Sequence, residues 1–113
     1  MSKEPVEYLK HIRDESLYIL SITSKGITKE EFLNDETIKR AVVRSLEIIG
    51  EASKMISADF KIKWDKVKWK DMAGMRDRLI HDYMGVNYSI VWDVIKNKIP
   101  ELFEQIVRVI ENK

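Results

Sequence analysis

Apolar residues return every three or four positions along most of this chain, the spacing that keeps them on one face of an α-helix. Between Pro5 and about Ser24 they are Leu9, Ile12, Ile19 and Leu20, with Pro5 suited to a first helical turn and Gly26 to a stop. Thr28 and Glu31 have capping-box spacing and predict a short helical turn over residues 29–33, after which Asn34 or Asp35 can cap the next element. The stretch DETIKRAVVRSLEIIGEASKMIS then sets Ile38, Val42, Leu46, Ile49, Ala52 and Ile56 on one face, widened by Ala41, Ile48 and Met55. It predicts a long, well-buried helix. Gly50 inside it costs about 1 kcal/mol relative to alanine, which points to another backbone passing close, with ordinary packing as the reason.

Residues 58–70, ADFKIKWDKVKWK, lose the helical period and alternate lysines with Ile62, Trp64, Val67 and Trp69, so a structured connection is expected there. Helical spacing resumes from about Trp69 to Asp82, Gly85 supplies a stop, and Asn87 can cap the next helix. In the last stretch Val91, Ile95, Ile99, Leu102, Ile106 and Ile110 form one apolar face that continues across Pro100. Proline removes a ladder hydrogen bond and crowds the carbonyl four residues back, so this is a kinked helix or two helices in line. The sum is four to five helices with short loops, an all-α bundle.

Composition narrows the picture. A chain of 113 residues that is 44% hydrophobic suits one core, hence a single domain over 1–113. Twenty basic against 19 acidic residues leave no net charge to predict a nucleic-acid partner, so any electrostatic preference is local. The absence of cysteine excludes disulfides, thiolate metal sites and a cysteine nucleophile, and agrees with a reducing compartment, by default the cytoplasm. MSKEPVEYLKHIRDE is charged throughout and does not read as a signal peptide, and no apolar run approaches the roughly 20 residues of a membrane span, so a soluble protein is expected. With no His-x3-His or Asp-x-Asp constellation and four scattered glycines, neither a metal site nor a phosphate-cradling loop nor any cofactor is expected.

The chemistry gathers in MRDRLIHDY, residues 75–83, which holds two arginines, one of the chain's two histidines and a tyrosine. On a helix Arg76, Leu79, Ile80 and Tyr83 share a face, whereas His81 is five residues from Arg76 and lies well around the cylinder. Asp77 is one turn before His81, where a carboxylate can orient an imidazole and favour its protonated form. By composition alone, a surface pair of Arg78 with Asp82, a partly solvated His81 and a core-edge Tyr83 account for the cluster. Against that, the polar groups interrupt an aliphatic helix, and histidine with arginine is the pair needed for acid–base chemistry on a phosphodiester.

Residues 76–83, Arg-Asp-Arg-Leu-Ile-His-Asp-Tyr, resemble the Arg-x4-His-x-Tyr signature of the HepT-like toxins in the HEPN superfamily. The likeness extends through RSLEIIGEAS before it, MAGMRDRLIHDYMGVN around it and VWDVIKNKIPELFEQI after it, about Arg44 to Ile106. The resemblance implies an up-and-down bundle that forms a homodimer or a dimer of dimers, with two motif copies meeting at the interface as a metal-independent RNase site. By the same resemblance Arg76 stabilises the phosphorane-like transition state, His81 handles the protons, Asp77 supports the geometry, and RNA is the substrate. It also implies a partner, a minimal nucleotidyltransferase antitoxin, with Tyr83 as the acceptor of AMP.

Other features read more simply. KIKWDKVKWK, with five lysines and two tryptophans, could hold a phosphate backbone and stack a base, but solvated lysines alternating with anchoring tryptophans explain it too. His11 reads as solvated, and Glu47 and Glu51 as a polar seam pairing with Arg44 or with a motif arginine. Two further functions fit the chain: a non-catalytic nucleotide-binding or adaptor subunit that docks a nucleotidyltransferase, and a structural dimer in which the motif makes only interfacial hydrogen bonds.

Overall fold

The protein is described by a computed structural model covering residues 5–81 and 85–112, in which the side chains of residues 80 and 81 lie outside the description. Among the described residues there are seven helices and no strand: α1 (Pro5–Thr23), α2 (Lys29–Asn34), α3 (Glu36–Met55), α4 (Ala58–Lys63), α5 (Trp69–His81), α6 (Tyr88–Asn97) and α7 (Ile99–Glu111). The five longer ones make the bundle, and α2 and α4 are single turns within connections. None of the described helices is long and apolar enough to cross a membrane.

Local chemistry sets the boundaries. α1 ends before Gly26, whose φ of +83° favours a residue without a Cβ. The capping box of α2 is complete: Thr28 Oγ1 accepts from the Glu31 amide at 3.1 Å, and Glu31 Oε1 accepts from the Thr28 amide at 2.9 Å. Asp35, rather than Asn34, caps α3 by accepting from the Ile38 amide at 2.9 Å. At the other end, Pro100 falls in the first turn of α7, where its missing N–H costs nothing. The chain therefore breaks at Lys98 into two helices rather than one kinked rod.

The connection over 58–70 is more helical than its pattern suggests. Ser57 caps a turn by accepting from the Phe60 amide at 3.3 Å, and Ala58–Lys63 coil as α4. Beyond it the tryptophans do anchor the segment: Trp69 is buried, stands edge-on to Phe60, and donates from Nε1 to the Trp64 carbonyl at 3.0 Å.

α1 is central. It packs against α3 on one side and α7 on the other, and Leu9, Ile12, Ile19, Val42, Ile95 and Ile106 meet there with no solvent exposure. α5 lies on the far side of α3 and takes most of its packing from that one helix. Val109 occupies the closed position expected of Ile110, and Met55, expected in the buried stripe of α3, is 58% exposed. The buried face of α3 is instead turned toward Gly50 and Ser53, to meet α5.

Candidate functional site

The site is built on the crossing of α3 and α5. A Cβ placed on Gly50 would stand 2.1 Å from the Cβ of Arg76 and 2.6 Å from the carbonyl oxygen of Met72, so no side chain fits between these backbones. The close approach expected from the sequence is there, and the residue that lies across the glycine is the motif arginine. Ser53, fully buried one turn on, donates its hydroxyl to the Gly50 carbonyl at 2.7 Å, so this small side chain is itself paired at the crossing.

Held against α3 in this way, the Arg76 side chain is 24% exposed. Its Nη1 donates to Oδ1 of Asp77 at 3.2 Å, while its Nε is buried without a hydrogen-bond partner among the described residues. The same Oδ1 accepts from Nζ of Lys54, on α3, at 2.5 Å. Asp77 thus bridges two cations, and its carboxyl is held below its usual value of 3.8, first by the hydrogen bond from Lys54 and, less, by that from Arg76.

Sequence reasoning named Arg76 and Asp77, and the structure brings them together. It missed Lys54: neither Glu47 nor Glu51 forms an ion pair among the described residues, and the charge that crosses from α3 to α5 is a lysine. The signal was its spacing, since Lys54 is one turn beyond Gly50 on the same face. His81 is the last residue of α5, one turn beyond Asp77; its side chain lies outside the described residues, as do the whole of Asp82 and Tyr83. Five residues at 3.6 per turn separate Arg76 from His81 by about 140° around the helix axis and about 7.5 Å along it.

A groove of about 430 Å³, which Arg76 does not line, runs between α3, α5, α6 and α7. Its walls include Leu46, Ile49, Met72 and Leu102, and Lys70, Arg78 and Lys98 also line it. Gly74 lines it too, and a Cβ added there would meet nothing within 4 Å. His11 is exposed and stands edge-on to Tyr8. Among the described residues, no three His, Asp or Glu side chains gather where they could hold a metal ion.

Fold and crossing together define a class: an all-α bundle that presents an arginine–aspartate pair on a helix ending in histidine. The sequence matches the family described as "Ribonuclease HepT-like" over residues 7–109. The chain belongs to the HepT-like ribonuclease family. It is 48% identical over 111 residues to "Putative RNase TTE0752" of Caldanaerobacter subterraneus subsp. tengcongensis, covering 98% of each chain. It is 42% identical over 102 residues to "Probable ribonuclease HepT" of Thermococcus cleftensis, covering 90% of this chain and 92% of that one. No solved structure is a significant match.

Proposed function

We propose that this protein is a cytoplasmic, metal-independent endoribonuclease toxin whose active site forms where two copies meet, each contributing Arg76 and His81. The observation that carries the reading is the placement of Arg76: a partly exposed guanidinium, fixed over Gly50, on a helix that ends at His81 in a chain of the HepT-like ribonuclease family.

In the reaction, a ribose 2′-hydroxyl of the RNA attacks the adjacent phosphorus. His81 takes the hydroxyl proton as the new P–O bond forms, and the P–O5′ bond breaks with a proton returned to the leaving oxygen. The products are a cyclic phosphate and a 5′-hydroxyl, and DNA, without the nucleophile, is not a substrate. Arg76 donates to the non-bridging oxygens as charge builds on them. Asp77 limits the guanidinium's movement.

The helix geometry supports two copies. Groups about 140° apart on one cylinder do not converge on one phosphate, but Arg76 of one chain and His81 of another can. Gly74 offers room for a second backbone, and the apolar groove beside it offers surface to cover. The assembly is a homodimer or a pair of them.

Control rests on Tyr83, two residues beyond His81. A minimal nucleotidyltransferase antitoxin transfers AMP to its hydroxyl, and the added negative charge beside the site repels an anionic substrate.

The test couples mass to activity. The protein is expressed alone and with a neighbouring nucleotidyltransferase, its intact mass is measured, and RNA cleavage is assayed with metals chelated. The expected result is cleavage by the unmodified form, and mass increments of AMP with the partner that vanish in Tyr83→Phe. A protein that binds the partner, stays unmodified and leaves RNA uncut would point to the adaptor function instead.

A further inference from the structure

Resting on the nuclease reading above, we propose that Lys54 is a positioning residue: by holding Asp77 from α3, it leaves the Arg76 guanidinium available to a substrate phosphodiester. The geometry is a shared acceptor. Oδ1 of Asp77 receives Nζ of Lys54 at 2.5 Å and Nη1 of Arg76 at 3.2 Å. Lys54 lies 23 residues before Asp77 in the chain and reaches it only because α3 and α5 cross at Gly50, one turn before the lysine.

Consider the cluster without Lys54. Among the described residues Asp77 would then have Arg76 as its one cationic neighbour, and a guanidinium paired with the adjacent carboxylate is a poor ligand for phosphate. An incoming phosphodiester would have to break that pair and leave a carboxylate unpaired beside its own negative charge. With Lys54 present the described residues of the cluster hold two cations to one anion, so Arg76 can turn toward a phosphate while Asp77 keeps a partner. The guanidinium has five N–H donors and, among the described residues, one of them, on Nη1, has a partner while Nε has none. Lys54 therefore acts through Arg76.

This role has a signature that neither a stabilising surface pair nor a direct phosphate contact shares. Lys54→Ala should raise KM for a single-stranded RNA about tenfold, the scale of one charge-assisted hydrogen bond, with a smaller change in kcat. Lys54→Arg should retain most of the wild-type value. Adding Asp77→Asn to Lys54→Ala should bring KM back toward the wild-type value, because the amide no longer captures Arg76, while kcat carries the loss of the support that Asp77 gives the guanidinium. A lysine that touched the phosphate itself would give a loss that Asp77→Asn does not repair.

A second readout needs no RNA. Nitrogen NMR of the Arg76 guanidinium should show rotation about its terminal bonds slowed in Lys54→Ala and freed again in the double variant. Arg76 signals unchanged by Lys54→Ala, or a double variant whose KM is no lower than that of Lys54→Ala, would overturn the role. If wild-type protein leaves RNA uncut while the Arg76 signals respond as described, the nuclease reading fails and the positioning of Arg76 by Lys54 stands.

Discussion

Two seams of the bundle are built on different principles. Where α1 meets α3 and α7, branched aliphatic side chains such as Ile12, Val42 and Ile106 are closed off from solvent, and contact is between side chains. Where α3 meets α5, the side chain is missing: Gly50 lets the backbone of α5 descend onto α3, with Ser53 beside it. The first seam holds its helices at side-chain distance and supplies stability through buried area. The second gives up that area and gains placement, since a residue lying over a glycine is fixed by backbone contact. The motif arginine sits at the second seam.

The contrast can be broken from either side. The largest effect on stability is expected from Ile106→Ala, which opens a cavity in the filled seam and should cost about 2–5 kcal/mol in a denaturant titration. The folded fraction of that variant should still cleave RNA, because the α3–α5 crossing is untouched. Gly50→Ala should show the reverse balance. The usual helix gain of about 1 kcal/mol is turned into a loss of about 1–3 kcal/mol by the clash with Arg76 and Met72, and cleavage should fall more than that loss explains. Equal activity per folded molecule in the two variants would erase the distinction.

Smaller effects sharpen it. Thr28→Ala, which opens the capping box of α2 far from the crossing, should lower stability by about 1 kcal/mol and leave cleavage per folded molecule unchanged. The smallest effect is one of pH. Because the carboxyl of Asp77 is held below 3.8 in the folded protein, the unfolded chain protonates first as pH falls. The stability this contributes is present above that ordinary value and lost as pH drops through the folded one. It is small, since Asp77 is 43% exposed and the pair is screened by water. In acid titrations wild type should therefore be slightly the more stable near neutral pH, and its lead over Lys54→Ala should close as pH falls into the acid range, with the shallower slope in the variant.

Most of the fold was legible in the sequence because helices write a local period. The long α3, the cap at Thr28, the stop at Gly26 and the break at Pro100 all depend on residues within one or two turns of each other. The coil of α4 was missed because a six-residue helix is too short to show a period among alternating lysines. Met55 was misplaced for a different reason: the stripe of α3 is wide, and which edge is covered depends on where α5 lands.

The same division holds at the site. The motif placed Arg76 and Asp77 on one helix, and an out-of-place glycine announced a crossing. Neither said that the two meet, because that is a matter of register between helices some two dozen residues apart. Lys54 was missed for that reason: its partner is on another helix, and its spacing from Gly50 is the one local mark that sets it apart from the other lysines.

The central claim, that His81 and Arg76 form a nuclease site, is tested most directly by incubating wild-type and His81→Ala protein with a single-stranded RNA under chelation and comparing rates. Cleavage by wild type is expected, with a loss of at least about a hundredfold in His81→Ala, the lower end of what a general acid–base contributes, and an unchanged thermal melt. Equal cleavage by the two proteins would contradict it.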